Sequence, residues 1–383
     1  MRVLVTSTPG IGHINPMLPL ALALRDAGHD VIWATGADGA RHVRRAGITT
    51  RDCGLSLADR TAAAADRMPA MLALPPADRQ PAMFATLFAE LAGPPMHRGL
   101  TELVAALRPD LVVHDPNELA AVPVAIAAGL PNVTVGFGRF HPAPLLATVA
   151  HHVRPLWAGL DRAVPEDLGL YDHLYLHPLP ASLQPVPVDR PVIAVRPTGH
   201  DGSHTPAPPW LDELGTGRPL VYVTFGTEFA SVAPLGAVVA ALGGLDVDVL
   251  VTVGSGGDPD GLPRLPPNVR VERFVPQRRV LDRASMMLSH GGSGAMIGAL
   301  IAGRSHVATP LAADQFGNAE IIAANGLGVM LAPHEQTADA IANAVDRVLT
   351  DPTFVLRCRD LAAEIEMMPP PEEAVAHLES LIA

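Results

Sequence analysis

A glycine-rich turn is the segment of this sequence best suited to hold an anion. An apolar, strand-like run (284–288) precedes it and a helix-forming run (296–302) follows, and its residues are Ser289-His290-Gly291-Gly292-Ser293-Gly294-Ala295. Glycines let backbone N–H groups approach an anion closely, and a helix N-terminus adds partial positive charge. His290 adds a side-chain donor, and Ser293 can both cap the helix and bond a phosphate oxygen. We predict a pyrophosphate site; the alternative is an ordinary tight turn with Ser293 as its cap.

A histidine and an aspartate form a second candidate for chemistry. His13 follows the first strand-like run, and Asp115 follows the run 111–114. If both runs are parallel strands, loops at their carboxyl ends can bring the two side chains together. A histidine, with an ordinary pKa of about 6.5, suits a general base, and a carboxylate on its other ring nitrogen would fix the tautomer. The alternatives are a loop-packing histidine and a turn or cap aspartate before Glu118.

The elements that must position these residues alternate between β-rich runs and helical stretches, which is typical of parallel sheets with crossover helices. Predicted strands are Arg2–Thr6, Asp30–Thr35, Asp110–His114, Asn132–Gly136, Leu220–Thr224, Val247–Val253, Val269–Phe274, Met286–Ser289 and His306–Ala308. Predicted helices are Pro16–Ala27, Leu119–Ala128, Ser293–Ala302, Gln315–Ala324, Ala338–Leu349 and Glu372–Ile382. The pattern predicts two doubly wound α/β domains that face each other across a cleft.

Length and composition limit the class of protein. The 383 residues suit two domains, and the Pro/Gly-rich stretch 197–209 indicates a linker, so we expect domains at 1–200 and 210–368, with 369–383 as a helix packing back on the first. A formal charge of −12 argues against nucleic acid as a partner. No apolar run reaches the roughly 18 residues of a membrane span, and the prolines near the start argue against a signal peptide. Cys53 and Cys358 match no metal spacing. We expect a mature, cytoplasmic protein; the sequence leaves open whether it forms a homodimer.

Three motifs in order give the chain a specific resemblance. Phe274-Val275-Pro276-Gln277, the turn 290–294, and Asp314-Gln315 with Asn318 follow the order and approximate spacing of the donor signature of family 1 glycosyltransferases. Over its full length, including the opening segment 10–16 and the Pro-rich segment before the last helix, the chain resembles the bacterial antibiotic-tailoring branch of that family. The resemblance implies the GT-B fold and inverting, metal-independent transfer of a sugar from a nucleoside diphosphate to a hydroxyl of a small apolar natural product.

The resemblance also assigns roles to residues. His13, paired with Asp115, would be the general base. Phe274, where the family usually has Trp, would stack on the donor base, and Asp314 with Gln315 would bond the sugar hydroxyls. The implied donor site consists of Gly226, Thr227, Phe274, Val275, Gln277, His290, Gly291, Gly292, Ser293, Gly294, Ala295, Asp314, Gln315 and Asn318. Ala295 departs from the usual Thr, which removes one hydroxyl donor, and Asp314 is also a candidate N-cap.

The sequence defines the acceptor site and the sugar less closely. Apolar and aromatic side chains make adaptable walls for a greasy ligand, although most of those in 55–96 are expected in the core. Our candidate acceptor residues are Gly12, Met68, Phe84, Phe137 and Phe140. The resemblance favours a thymidine diphosphate deoxysugar as donor, a uridine diphosphate sugar remains open, and no separate cofactor or metal is expected.

Other functions fit the residues less well. A dinucleotide oxidoreductase needs a third glycine where Asn15 stands, and a serine hydrolase needs a glycine where Ala295 stands. Asp246 and Asp248 resemble a metal-binding carboxylate pair, but they lie where a strand starts, so we interpret them as solvated strand-end residues. Two alternatives stay open: a nucleotide-sugar epimerase or hydrolase of the same fold, and a non-catalytic auxiliary homologue.

Overall fold

Two parallel sheets carry the fold, one in each of two units of the chain. The computed structural model describes residues 1–199, 206–226, 234–254, 257–259 and 265–382. The first unit comprises 1–202 together with 368–383, and the second comprises 203–367. The predicted class, two Rossmann-like doubly wound domains, is confirmed. Among the described residues, no helix is both long and apolar enough to cross a membrane.

The first unit holds a seven-stranded sheet of order β3-β2-β1-β4-β5-β6-β7. Its strands are β1 (Arg2–Thr6), β2 (Asp30–Thr35), β3 (Thr49–Asp52), β4 (Leu111–His114), β5 (Asn132–Val135), β6 (Leu174–His177) and β7 (Val192–Ala194). Its helices are α1 (Ile11–Asp26), α2 (Ala37–Arg45), α3 (Leu57–Ala64), α4 (Met68–Leu72), α5 (Pro76–Phe84), a π-helical segment (Ala85–Ala92), α6 (Gly93–Leu107), α7 (Ala121–Ala128), α8 (Ala143–His152) and a short 3-10 turn (Arg154–Trp157).

The second unit holds a six-stranded sheet of order β10-β9-β8-β11-β12-β13. Its strands are β8 (Leu220–Thr224), β9 (Asp248–Thr252), β10 (Val269–Glu272), β11 (Met286–Ser289), β12 (Ser305–Ala308) and β13 (Gly328–Met330). Its helices are α9 (Leu235–Gly243), α10 (Gln277–Leu281), α11 (Ser293–Ile301), α12 (Gln315–Ala324), α13 (Ala338–Thr350) and α14 (Pro352–Glu366), with 3-10 turns at Pro209–Glu213 and Pro333–Glu335.

The inner strands of the first sheet are buried on both faces, which explains their continuous apolar runs. Along β1, Val3 and Val5 pack in the core formed with α1, while Leu4 packs on the other face with Met96 and Leu100 of α6. The last helix, α15 (Pro371–Ser380), adds three apolar residues to the α1 side of this core: Ala374, Val375 and Leu378. The chain therefore returns to the first unit after completing the second.

Helix α1 begins earlier than the sequence predicts. The expected start at Pro16 is wrong, because the helix begins at Ile11, after Gly10 in an extended conformation. Pro16 and Pro19 lie inside the helix, where each removes one backbone hydrogen bond. Tertiary packing outweighs that cost, since the helix buries an apolar stripe of Ile14, Met17, Leu18, Leu20 and Leu24.

Candidate functional site

Both candidate sites lie at the topological switch points of their sheets. In the first sheet β1 and β4 are hydrogen-bonded neighbours, and in the second β8 and β11 are neighbours. At each point the chain leaves the two strands toward opposite sides of the sheet, which opens a crevice at their carboxyl ends. His13 follows β1 and Asp115 follows β4, whereas Gly226 follows β8 and the glycine turn follows β11. The order of the strands thus brings together residues far apart in sequence.

His13 and Asp115 form a hydrogen-bonded pair. The His13 Nδ1 atom lies 3.1 Å from Asp115 Oδ1, and the His13 side chain is 16% exposed while that of Asp115 is fully buried. His13 lies in the first turn of α1 and not in a loop as predicted, because the helix begins at Ile11. With Nδ1 on the carboxylate, Nε2 is the ring nitrogen left to meet a substrate proton. This is the arrangement of an oriented general base.

The surroundings of Asp115 keep it ionised. Burial raises its pKa, but the opposing interactions with His13 and with the amides of Thr8 and Asn117 outweigh burial, and the net shift is downward. Thr8 N–H donates to Oδ2 at 2.9 Å and Asn117 N–H donates to Oδ1 at 2.8 Å. Asp115 therefore does both things that the sequence suggested as alternatives: it accepts from amides of the adjoining turns, and it contacts His13.

Glu118 is a second buried acid on the same loop, and the sequence analysis did not single it out for a role. Its Oε1 accepts from Ala120 N–H at 3.0 Å, and its Oε2 lies 3.3 Å from the Thr6 hydroxyl. Burial, with the charge of Asp115, raises the pKa of Glu118 from 4.5 to about 8. Two acids three residues apart are thus held in opposite states near neutral pH, Asp115 charged and Glu118 protonated.

This difference predicts how stability depends on pH. Between about pH 4.5 and 8 the folded chain keeps a proton on Glu118 that the unfolded chain has released, so Glu118 lowers stability as the pH rises through this window. We expect Glu118→Gln, which keeps the donor and acceptor pattern, to remove that loss, on the order of 3–5 kcal/mol between pH 5 and 8. Denaturant unfolding at pH 5 and 8 measures it, with the exposed Glu166→Gln as control. An equal pH slope in Glu118→Gln and the parent would contradict the assignment.

The predicted acceptor residues separate into two groups within the first unit. Phe137 meets the His13 ring edge-on, with centroids 4.8 Å apart, and Phe84 belongs to the same cluster of rings through Phe88. Phe140 instead stacks on His177, at 3.9 Å and 12° between planes. Gly12 is exposed in the first turn of α1, beside His13, and Met68 is half-buried at the start of α4. Of these candidates, Phe137 contacts the His13 ring directly, and Phe84 is linked to it through Phe88.

A buried histidine, His306, is connected to the glycine turn through the hydroxyl of Ser289. Burial lowers the pKa of His306 to about 3, so its ring is neutral. Gly291 N–H donates to Ser289 Oγ at 3.0 Å, and Ser289 Oγ is also hydrogen-bonded to His306 Nε2, at 2.8 Å. Gly291 takes a positive φ of +79°, which favours glycine. These contacts hold the turn in one conformation.

The helix that follows the turn carries at its start the amides that are predicted to bind an anion. The first N–H groups of a helix have no intrahelical acceptor, and here the helix is the nine-residue α11. Gly294 is exposed, and a Cβ placed on it would meet nothing within 4 Å. On Gly292, by contrast, a Cβ would lie 2.5 Å from His290 Nε2. The His290 ring therefore folds back against Gly292 within the turn.

His290 joins the turn to the end of β8. Its side chain is buried and lies against Gly226, where an added Cβ would come within 3.2 Å of the ring. Burial lowers the pKa of His290, although Asp314 and the backbone of Thr224 oppose that shift. A neutral imidazole beside helix amides is a hydrogen-bonding group for an anion, and its protonation would become more favourable once an anion is bound.

Ser293 does not cap α11, which corrects the sequence prediction. Gly292 occupies the cap position with extended backbone, and Ser293 is the first helical residue. Its hydroxyl instead donates to Asp314 Oδ2 at 2.7 Å, and Asn318 Nδ2 lies 2.8 Å from the same oxygen and 2.9 Å from Gly291 O. Asp314 holds the cap position of α12 without a side-chain capping bond. These side chains tie the first turn of α12 to the glycine turn.

The other predicted donor residues differ in how exposed they are. Phe274 is 54% exposed just after β10, whereas Val275 and Ala295 are buried in the core of the second unit. Gln277 donates from Nε2 to Gly294 O at 3.2 Å, and the buried Gln315 accepts through Oε1 from the amides of 311 and 312. Thr227 lies outside the described residues.

Asp246 and Asp248, the candidate metal carboxylates, are engaged with an arginine. Arg218 Nη2 lies 2.5 Å from Asp248 Oδ1, and its Nη1 lies 3.9 Å from Asp246 Oδ1. Gly215 N–H also donates to Asp248 at 3.0 Å. Within the described residues, no group of three or more His, Cys, Asp or Glu side chains is arranged to hold a metal ion.

Comparison with known proteins adds to this geometry. Residues 236–381 match the family described as erythromycin biosynthesis protein CIII-like, C-terminal domain. The chain is 31% identical to the elloramycin glycosyltransferase ElmGT of Streptomyces olivaceus, covering 99% of this chain and 97% of that protein. It is 32% identical to the L-demethylnoviosyl transferase of Streptomyces niveus, over 97% and 100% of the two chains. The solved glycosyltransferase SnogD from Streptomyces nogalater is similar in structure, with a TM-score of 0.77, 29% identity and coverage of 100% and 99%.

Proposed function

Because the chain belongs to the family of antibiotic- and polyketide-tailoring glycosyltransferases of GT-B fold, we propose that it transfers a deoxysugar, with inversion, from a thymidine diphosphate donor to a hydroxyl of an apolar natural product. The observation that carries the proposal is the pairing of His13 with the buried, ionised Asp115 at the switch point of the first sheet. The general-base role, the donor and the inverting course are our proposals.

The catalytic step follows from the His13 geometry. The acceptor hydroxyl gives its proton to Nε2 of His13 as its oxygen bonds to the anomeric carbon, and the bond from that carbon to the diphosphate breaks. Attack from the side opposite the leaving group inverts the anomeric centre. Asp115 stabilises the imidazolium that forms, because its charge lies on the other ring nitrogen.

The leaving diphosphate is assigned to the glycine turn of the second unit. The amides at the start of α11 and the ring of His290 supply hydrogen bonds and partial positive charge in an otherwise acidic protein. Phe274, exposed after β10, is the proposed stacking surface for the base. Asp314 is the proposed ligand for sugar hydroxyls, with the amides of the turn fixing the phosphates beside it.

A turnover assay tests the proposed function. Purified protein is incubated with thymidine or uridine diphosphate sugars and a panel of hydroxylated polyketide acceptors, and products are followed by mass spectrometry and anomeric NMR couplings. Inverted glycoside that forms only with both substrates supports transfer. Sugar release or epimerisation with donor alone would favour the hydrolase or epimerase alternative, and donor binding without any product would favour the auxiliary one.

We also propose that the reaction needs no divalent metal. Of the candidate carboxylates, Asp248 is paired with Arg218, whereas the side chain of Asp246 is 91% exposed and lies 3.9 Å from the same guanidinium. The proposed phosphate site draws its positive potential from the amides at the helix start, with His290 as a hydrogen-bonding group. We expect kcat and KM to change by less than about twofold after treatment with excess EDTA. A loss of activity that added Mg²⁺ or Mn²⁺ restores would overturn this proposal.

A further inference from the structure

The side chain of Glu118 joins the end of β1 to the loop after β4. Its Oε2 atom is hydrogen-bonded to the Thr6 hydroxyl, 3.3 Å away, and its Oε1 atom accepts from the Ala120 N–H at 3.0 Å. Glu118 is 3% exposed and Thr6 is fully buried, so bulk water has little access to these contacts. One side chain therefore links two segments that lie 112 residues apart in sequence.

The same two segments hold the proposed base. Two residues after Thr6, the Thr8 N–H donates to Asp115 Oδ2 at 2.9 Å, and His13 Nδ1 lies 3.1 Å from Asp115 Oδ1. The Glu118 N–H donates to the backbone oxygen of Asp115 at 3.2 Å, so the two acids belong to one turn. The contact between Thr6 and Glu118 is thus a second link between segments that Asp115 already joins.

The contact between His13 and Asp115 has little tolerance for movement of these segments. Its 3.1 Å lies near the upper end of the usual 2.7–3.2 Å range for a hydrogen bond from nitrogen to oxygen. A shift of a few tenths of an ångström away from Asp115 would therefore weaken it. Misplacement of a catalytic group by about 1 Å can lower a rate about 100-fold. A link that fixes the spacing of the two segments therefore matters for the orientation of the ring.

Glu118 makes its contacts as an uncharged acid near neutral pH. Burial, with the charge of Asp115, raises its pKa to about 8, and the interactions that set this value, all within the part of the chain that the structure describes, include no cation. The next titratable neighbour is Cys53 after β3, whose pKa is raised to about 12 by burial and by the charges of Glu118 and of Glu102 on α6. Helix α7 adds the apolar Val124 to the core around Cys53. Above about pH 8 a second negative charge therefore forms in the turn of Asp115 without a counterion.

We propose that Glu118 is a positioning residue of the transfer reaction: by linking the end of β1 to the loop after β4, it keeps Asp115 on Nδ1 of His13 and so leaves Nε2 directed at the acceptor hydroxyl. This inference rests on the proposed function, because it deepens the role of the His13–Asp115 pair. Glu118 acts through that pair and not on the reacting atoms.

Replacing Glu118 with alanine and with glutamine tests the link by kinetics. Glu118→Ala removes both side-chain contacts, and we expect it to lower kcat about 10- to 100-fold at pH 7 with KM for the acceptor within about threefold. Glu118→Gln keeps hydrogen-bonding groups for Thr6 and Ala120 and cannot ionise, so it should restore kcat to within about threefold of the parent. A parental kcat in folded Glu118→Ala would overturn the proposal.

The alkaline side of the pH–rate profile gives an independent readout. From pH 7 to 9 the kcat of the parent should fall relative to that of Glu118→Gln, because only the parent forms the extra charge above about pH 8. Both enzymes are assayed with the same acceptor, so ionisation of the acceptor cancels in the comparison. Parallel profiles for the two enzymes would contradict the role of the uncharged acid.

A threonine variant keeps the test decisive if Glu118→Ala does not fold. Thr6→Val removes the hydroxyl that meets Glu118 and keeps the shape of the side chain, and we expect kcat to fall about 3- to 10-fold. Thr101→Val is the matched control: Thr101 is exposed on α6, its hydroxyl donates to His97 O in the same helix, and its loss should leave kcat unchanged. Thermal unfolding shows which variants are folded. An unchanged kcat in folded Thr6→Val would then overturn the proposal.

The tautomer of His13 can be measured without any turnover. The ionised carboxylate of Asp115 only accepts hydrogen bonds, so the contact places the proton of the neutral ring on Nδ1. Nitrogen-15 NMR of the ring distinguishes the two tautomers, and the His13 signals are those that His13→Ala removes. We expect the Nδ1–H tautomer in the parent and in Glu118→Gln, and a mixture of both tautomers in Glu118→Ala and Thr6→Val. An unmixed Nδ1–H tautomer in both of the last two variants would overturn the inference.

Failure of this inference differs from failure of the proposed function. If Glu118→Ala and Thr6→Val keep the kcat and the His13 tautomer of the parent while His13→Ala loses activity, the role of Glu118 is wrong and the transferase proposal stands. If the parent transfers sugar to no acceptor, the proposed function fails, and the tautomer measurement still decides whether Glu118 positions the pair.

Discussion

Replacing His13 with alanine is expected to lower kcat by about 10²- to 10⁴-fold. The imidazole is oriented by a buried carboxylate 3.1 Å from Nδ1, so its loss removes the proposed proton acceptor. The substitution lies in the first unit and leaves the residues of the second unit, where the donor site is proposed, unchanged. The dissociation constant for the nucleoside diphosphate should therefore remain within about threefold. Steady-state kinetics with a calorimetric binding titration measure both quantities.

A matched control separates catalysis from general damage. His151 lies exposed on α8 in the same unit, and His151→Ala should leave kcat unchanged. The pH–rate profile adds an independent readout, because the activity left in His13→Ala should lose the acidic limb that reports titration of the base. A kcat for His13→Ala within threefold of the parent would remove His13 from the base role.

Asp115→Asn tests the other half of the pair. The asparagine oxygen can take the place of only one carboxylate oxygen, so its amide nitrogen must face either Thr8 N–H or the donors on Oδ1. We expect kcat to fall by about 10²-fold or more together with a loss of stability of about 1–3 kcal/mol. If kcat and the pH–rate profile stay the same while stability falls, Asp115 has only a structural role.

The sequence predicted the central strands well because these are short apolar runs buried on both faces. β1, β2, β8 and β11 have the predicted bounds. The edge strand β3 was missed because Thr49–Asp52 is polar and mostly exposed, so no burial pattern indicates it. The early start of α1 was missed because prolines normally mark helix ends, and here packing of the apolar stripe overrides them.

The site residues likewise divide into those that the sequence predicted and those that it missed. Parallel-strand logic predicts that His13 and Asp115, 102 residues apart, meet at one edge of the sheet, as they do. It says nothing about Phe88, because the long helical excursion from β3 to β4 follows no simple period. Local rules also failed for Ser293, whose hydroxyl bonds a side chain 21 residues away and not its own helix. Tertiary partners decide such contacts. No motif in the sequence indicated a role for Asn117 or Glu118, and only their adjacency to the end of β4 could have drawn attention to them.

The contact between Ser293 and Asp314 leads to the second large effect. Asp314 Oδ2 takes hydrogen bonds from both the Ser293 hydroxyl and Asn318. Asn in place of Asp314 can keep an oxygen for both donors but loses the negative charge and the second acceptor oxygen. If Asp314 bonds sugar hydroxyls, Asp314→Asn should lower kcat/KM for the nucleotide sugar by about 10- to 100-fold, since hydrogen bonds to charged groups contribute roughly 1.5–3 kcal/mol.

The same variant should leave binding of the nucleoside diphosphate within about threefold, because that ligand lacks the sugar. Comparing the diphosphate with its sugar conjugate therefore separates sugar recognition from support of the phosphate turn. Glu320→Gln, exposed on the same helix α12, removes one charge from the same element and should change neither quantity. Equal losses for both ligands in Asp314→Asn would mean that Asp314 acts only by bracing the glycine turn through Ser293 and Asn318, and that another residue binds the sugar.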